Sequence, residues 1–460
     1  MSESEQLPLF EVEESSFKLE QQEIEPHLKV FRNKSELILF DGEVQIFFEG
    51  KPNQAAQQRY ERIAQELSAG YLTNQIELCR TNPSLLDFSH LNDQQISNLN
   101  KLVEAVTSEV GRALVALTVM QLCIKAIEPS QSIRLHKASR NKKDFSWQEG
   151  ISMRSLDKKY ITPVLRRYEL VKLNADGFMM TRSLAENYPY SLVYKAQIKG
   201  ARQEWIDIVE EVETNILSAK TALRYLLSQL LNRAKEFKEL ASETIGLLRK
   251  FIVENRSLDK NTVKAIILQH INESNYAARL MEISMHSLMQ AMQEKGVFQN
   301  ADLQPLSQMR SANKKHGNIG DIELIENKQI VEAWDAKFGK PYLRDEIEEL
   351  VDKLESHSFI EAVGFVTSTE PERLEELLPR CQEIQEEFNV SIEIITFTQW
   401  AEKQFIRSVE DGRITEQELA RSWLIAYTES IAQERKNIAP IDEPCYQWLS
   451  ELKKILEFYS

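Results

Sequence analysis

The sequence predicts a multidomain α+β protein: a winged-helix-like unit, a helical middle region, and a C-terminal α/β unit with a mixed sheet. Three observations carry that expectation. At 460 residues the chain is longer than one hydrophobic core usually serves. Apolar residues keep helical spacing almost without interruption from Ser191 to about Gly296, whereas strand and helix patterns alternate after Gly320. With 42% hydrophobic and 28% charged residues, the composition is that of an ordinary globular protein.

The expected divisions are an acidic disordered arm (1–26), an N-terminal hairpin with helices (27–106) and the winged-helix-like unit (107–190). A helical scaffold or dimerisation region (191–274) and the α/β unit with C-terminal helices (275–460) complete the chain. No apolar run reads as long enough to span a membrane, and the N-terminus is acidic, so a cytoplasmic protein without a membrane partner is expected. Cys79, Cys123, Cys381 and Cys445 are far apart with no CxxC pair, which points to buried reduced thiols.

The net charge of −15 is unevenly spread. Residues 1–26 carry eight Glu and one Lys (−7), and residues 341–460 carry 26 acids and 12 bases (−14), which leaves +6 for residues 27–340. Within that span, 131–172 holds eleven Lys or Arg against four acids. A nucleic acid responds to such a local field rather than to the total.

Leu37 to Phe48 reads as a hairpin about Asp41-Gly42. Helices are expected near 53–69, 93–106 and 107–127. A short helix from Leu156 to Tyr168 then carries Lys158, Lys159, Arg166 and Arg167, with Pro163 as an objection to a regular helix. Leu170 to Thr181, including Lys172 and the turn Asn174-Ala175-Asp176-Gly177, reads as a second hairpin in the position of a wing. A basic helix in the major groove and a hairpin on the phosphates would together bind DNA. After the helical region, which includes Tyr276 to Glu294 with Glu282 and His286 one turn apart, comes a basic loop. Its Arg310, Lys314, Lys315 and His316 are candidate phosphate ligands.

The most informative stretch is Gly320 to Lys340. Asp321 to Ile325 and Ile330 to Lys337 alternate as two strands about Glu326-Asn327-Lys328. An amphipathic helix (344–355), a strand (360–367), a second helix (370–388) and a last strand (390–397) follow. An acid-x-Lys triplet is common here, since the chain contains seven. Only Asp335-Ala336-Lys337 lies inside a predicted strand with another strand-borne acid, Asp321, 14 residues earlier. Two carboxylates with a backbone carbonyl suit Mg²⁺, which takes oxygen ligands and keeps several waters. Asp321, Asp335 and the Ala336 carbonyl are therefore the expected metal ligands. Lys337 would orient water or offset phosphate charge, and Glu323 and Glu282 are expected companions.

Gly320-Asp321, the interval to Asp335-Ala336-Lys337 and the helix–strand–helix–strand that follows resemble the PD-(D/E)xK nuclease superfamily over roughly 275–400. With the basic unit upstream, the chain looks like a type II restriction endonuclease. The family's Pro before the first Asp is Gly320 here, and the usual Glu of the second acid is Asp335. The resemblance implies a Mg²⁺-dependent, site-specific endonuclease for double-stranded DNA. A homodimer working alongside a protective DNA methyltransferase is the implied setting. The alternative expectation is a non-catalytic DNA-binding regulator. No GxxxxGK[ST] loop is present, which disfavours an ATP-driven helicase.

Overall fold

The computed structural model describes residues 25–460 except 140, 142–143, 174–175, 181–183, 185, 195–197, 199, 256–257, 308–317, 358, 411 and 442–444. The acidic arm is thus almost wholly outside the described residues. So are Arg310, Lys314, Lys315 and His316.

The protein is a mixed α+β structure with a three-stranded antiparallel sheet and a five-stranded mixed sheet. In the first, β1 (His27–Val30), β2 (Lys34–Ile38) and β3 (Val44–Phe48) pair in sequence order. The β2–β3 hairpin turns at Asp41-Gly42 as expected, and Gly42 adopts a φ of 80° that L side chains avoid. Helices α1 (Gln54–Ser68), α2 (Tyr71–Thr81), α3 (Asp93–Glu104) and α4 (Glu109–Ile127) follow. Asn53, Asn92 and Ser108 start three of them, each side chain accepting a hydrogen bond from a backbone N–H of the first turn.

Val110–Ile127 in α4 is long and apolar enough to cross a membrane by length and composition, which corrects the expectation that no run reaches that length. Most of it is buried inside the protein. A helix apolar on every side needs neighbours on every side, and α4 is the centre of the first core, with Leu114, Leu117, Met120 and Ile124 fully covered.

The winged-helix expectation is corrected in two places. First, the basic helix is present as a continuous helical run over 153–167 but is irregular, with a π-helical turn over Asp157–Ile161 between α5 (Met153–Leu156) and α6 (Thr162–Arg167). Pro163 has no N–H, and its ring would collide with the carbonyl four residues back, so the wider turn ahead of it relieves the conflict. Second, the described residues between 170 and 180 contain no strand; Phe178–Met180 is a single 3₁₀ turn. Leu170, Val171, Leu173, Phe178 and Met179 are buried in the same core as α4, so their apolar pattern records burial rather than a hairpin. Asp157 ties this connector down, accepting from the Thr162 hydroxyl at 2.5 Å and the Met179 N–H at 3.0 Å. A Cβ on Gly177 would come within 2.3 Å of its carboxylate.

The helical region 191–274 has no core of its own. It contains α7 (Arg202–Glu213), α8 (Ala219–Glu254) and α9 (Lys260–Glu273), and α10 (Ala277–Glu294) comes next. Ala222 to Leu230 of α8 pack into the core around α4, whereas Ala241 to Phe251 pack into the core of the C-terminal body. At 1.5 Å per residue its 36 residues extend about 54 Å, so α8 is a spine shared by both bodies.

The larger sheet runs β4 (Asp302–Leu303), β5 (Ile322–Glu326), β6 (Gln329–Lys337), β7 (Ala362–Thr367) and β8 (Ser391–Thr396), in that spatial order. The first three pair antiparallel and the last three parallel. The parallel crossovers are α11 (Arg344–Leu354) and α12 (Leu374–Phe388), which cover the face bearing Ala333, Val363 and Phe365. The opposite face, with Ile322, Trp334 and Val366, packs on α10, α13 (Phe397–Glu410) and α14 (Glu416–Ile431). The closing helix α15 (Cys445–Tyr459) belongs to the same core. All four cysteines are buried and free.

Candidate active site

The β5–β6 hairpin closes through Asn327 and Lys328, both left-handed at φ 50° and 68°, the conformation of tight two-residue hairpin turns. Its register pairs Ile322 with Trp334, which sets Asp321 across from Asp335 at the far end. The Asp321 N–H donates to the Trp334 carbonyl at 2.9 Å, and its Oδ2 accepts from the Ala336 N–H at 3.0 Å. Gly320 has a steric reason to be glycine. A Cβ there would stand 2.7 Å from the Trp334 carbonyl oxygen and 2.9 Å from its carbon, and proline would meet the same conflict.

Asp321, Asp335 and Lys337 are brought together. Lys337 Nζ lies 2.9 Å from Asp335 Oδ2, and both side chains are largely covered. Burial raises the Asp321 carboxyl well above the ordinary range; the charges of Asp335 and Glu282 and a side-chain hydrogen bond to Asp335 push the same way, against the Ala336 N–H. Burial alone would lower Lys337, but the charge and hydrogen bond of Asp335 outweigh it and the ammonium is held more firmly than usual. Two acids and a cation are thus packed where water cannot screen them.

The remaining expected residues fall differently. Glu282 of α10 is close enough to act on Asp321, yet it is ion-paired at 2.5 Å with Arg279, whose other branch donates to the Ser307 carbonyl at 2.7 Å. His286 does not join Glu282; its Nε2 is hydrogen-bonded to the Gln304 carbonyl at 2.9 Å in a buried setting. Glu323 turns one oxygen to the backbone ahead of Asp321. Its Oε1 accepts from the N–H groups of Ile319 (2.6 Å) and Gly320 (3.2 Å), and its charged neighbours are His357 and Lys353, so it braces the turn that presents Asp321.

Among the described residues no group of three His, Cys, Asp or Glu is placed to hold a metal ion without other ligands. The donor set still fits a hard cation that needs few carboxylates. The Asp321 and Asp335 carboxylates offer oxygen donors there, and a cation would relieve the repulsion between them. A strand residue's N–H and C=O point toward the same neighbour. Because the Ala336 N–H points to Asp321, its carbonyl faces that same edge, beyond the start of β5.

Two contributors were not singled out from sequence. Arg279 stands three residues before Glu282, a spacing that brings helical side chains together. Glu346, in the first turn of α11, acts on Lys337 across the gap between strand and helix. No sequence spacing announces that approach.

Of the proposed DNA contacts, Lys158, Lys159, Arg166 and Arg167 are exposed, and Lys158 is 3.3 Å from Asp176. Lys172 is not placed as a groove contact. It is partly covered, donates to the Ile441 carbonyl at 3.3 Å and lies over the Phe237 ring, between the two bodies. Against known proteins, no family model and no curated sequence matches this chain.

Proposed function

We propose that the protein is a Mg²⁺-dependent endonuclease acting on double-stranded DNA, of the kind found in type II restriction systems. The observation that carries the reading is the convergence of Asp321, Asp335 and Lys337 at one end of the β5–β6 hairpin, on a sheet whose next two strands are parallel. Asp321, Asp335 and the Ala336 carbonyl would hold the metal, which when bound supplies Lewis acidity to the scissile phosphate and a more acidic water. The chain's own contribution is positional. Gly320 and Glu323 set the height of Asp321, while Asp335 aims the Lys337 ammonium at the place where phosphate charge would build up. Arg279 holds Glu282 back from the cluster until a competing cation or water draws it in.

Recognition of DNA would rest on the exposed Lys158, Lys159, Arg166 and Arg167, without the wing expected from sequence. A cytoplasmic homodimer, one subunit for each strand cut, with a methyltransferase protecting the host DNA, completes the proposal. The test is a plasmid digest. Discrete fragments should form with Mg²⁺ and not with EDTA, and Asp335→Ala should yield none. Cutting by Asp335→Ala at the wild-type rate would overturn the site. Salt-sensitive DNA binding with no cleavage in any divalent metal would instead favour a non-catalytic regulator.

A further inference from the structure

Midway along α8, between the two bodies, lies a cleft of about 520 Å³, within the size range of small-molecule sites. Its lining includes six cations, Arg112, Lys172, Arg233, Lys238, Arg249 and Lys436, against two carboxylates, Glu169 and Glu434. Among the described lining residues cations outnumber carboxylates six to two, in a chain whose total is −15, although Glu236 and Glu104 also act on Arg233. Glu169 is already engaged by Lys436 and, at 3.3 Å, by Lys238.

Two cations lie against aromatic rings. The Arg233 guanidinium is 5.9 Å from the Tyr446 ring centre, and the Lys172 ammonium is 5.6 Å from that of Phe237. Burial lowers the Arg233 pKa, the mark of a charge held away from water. Apart from Ser242 and Gln433, the remaining wall is apolar, with Leu170, Val171 and Ile245. Gly246 also lines the cleft. A glycine inside a long helix costs about 1 kcal/mol relative to alanine, yet a Cβ at this position would meet nothing within 4 Å. No neighbour requires the glycine, and a large side chain there would stand at the cleft wall.

We propose that this cleft binds a small organic anion of mononucleotide size, its phosphate met by Arg233, Arg249 and Lys172 and its ring laid on Phe237, Ile245 and Tyr446. Walls from both bodies line the cleft, so the ligand would also tie Leu170–Lys172 to the Gln433–Lys436 segment across α8. The inference does not depend on the acid cluster.

The test is calorimetric titration of the full chain with AMP and CMP, beside inorganic phosphate, adenosine and a 5′-phosphorylated dinucleotide. Saturable binding of the mononucleotides is expected, at least tenfold tighter than phosphate or adenosine alone. Gly246→Trp, which fills the cleft from an open helix surface, and Arg233→Glu should each weaken it tenfold or more, with helical content checked by circular dichroism. Asp335→Ala should bind as wild type does, so loss of nuclease activity and loss of ligand are separable. Absence of saturable binding, or unchanged affinity in both cleft variants, would overturn the proposal. Binding of the dinucleotide with no binding of the monomers would overturn the assignment to a free ligand and make DNA the source of the phosphate.

Discussion

Each body buries an aspartate, and the two sites are built on opposite principles. Asp157 in the N-terminal body is fully covered, but what surrounds it donates: the Thr162 hydroxyl and the Met179 N–H satisfy its oxygens. Asp321 in the C-terminal body receives one N–H, from Ala336, is hydrogen-bonded to the Asp335 side chain, and otherwise faces the charges of Asp335 and Glu282. A lone buried carboxylate with converging donors fastens a chain segment. Two carboxylates pressed together hold the fold under repulsion that an added cation would remove, and such strain is retained where chemistry needs it.

The largest expected effect tests that contrast directly. On the proposed reading, Asp335→Asn should lower DNA cleavage by about a thousandfold or more, since the substitution removes a carboxylate that would hold the metal. Thermal unfolding of Asp321→Asn should occur at or above the wild-type temperature, because burial and the charges of Asp335 and Glu282 disfavour the Asp321 carboxylate while the Asp335–Lys337 pair stays intact. A variant that loses stability along with activity would show that the acid pair is structural after all.

The second prediction uses pH to set the bodies against each other. Burial holds His270 and His286 of the C-terminal body down to about 4, so each favours the fold above the ordinary imidazole value of 6.5. That contribution is lost as pH falls from 6.5 through 4. Burial pushes Asp157 up to about 6, which has the reverse sign: protonated Asp157 favours the fold below 3.8, and the benefit is lost as pH rises through 6. Between pH 7 and 4.5, His270→Gln should therefore lose about 2 to 3 kcal/mol less stability than wild type, and Asp157→Asn about 2 kcal/mol more. Denaturant melts at the two pH values check both, and equal slopes for the three proteins would refute the burial assignments.

Two glycines supply the smaller effects. Gly320→Ala drives a Cβ against backbone atoms of Trp334, which have little room to yield, and should cost roughly 1 to 3 kcal/mol while displacing Asp321. Its cleavage rate should fall, with the Mg²⁺ concentration for half-maximal activity rising. Gly246→Ala faces open space inside α8 and should raise stability by about 0.5 to 1 kcal/mol in the same melts. A loss of stability there would mean that the helix needs the glycine.

The elements legible from sequence were those specified by local rules. Asp41-Gly42 and Asn327-Lys328 mark their hairpins, and the helix–strand alternation after Lys340 reads directly onto α11, β7, α12 and β8. What misled was apolar patterning whose burial is decided elsewhere. Leu170, Val171, Phe178 and Met179 looked like a wing because a strand and a buried connector share that pattern. The helix expected over 107–127 is present, and its Val110–Ile127 stretch is longer and more apolar than the sequence reading allowed because the surrounding core covers most of it. Glu323 shares a strand face with Asp321 in the sequence pattern, but one of its carboxylate oxygens turns to the Ile319 and Gly320 amides.

From the residues alone came the hairpin, its turn, and the choice of Asp321, Asp335 and Lys337, because strand alternation and turn chemistry act over a few neighbouring positions. Three-dimensional packing settled the rest. It showed that α8 serves two cores, that Arg279 restrains Glu282, and that basic residues from distant segments line one cleft. Those relations join positions up to hundreds of residues apart. Burial, and with it the field each charge experiences, exists only once the chain has closed around them.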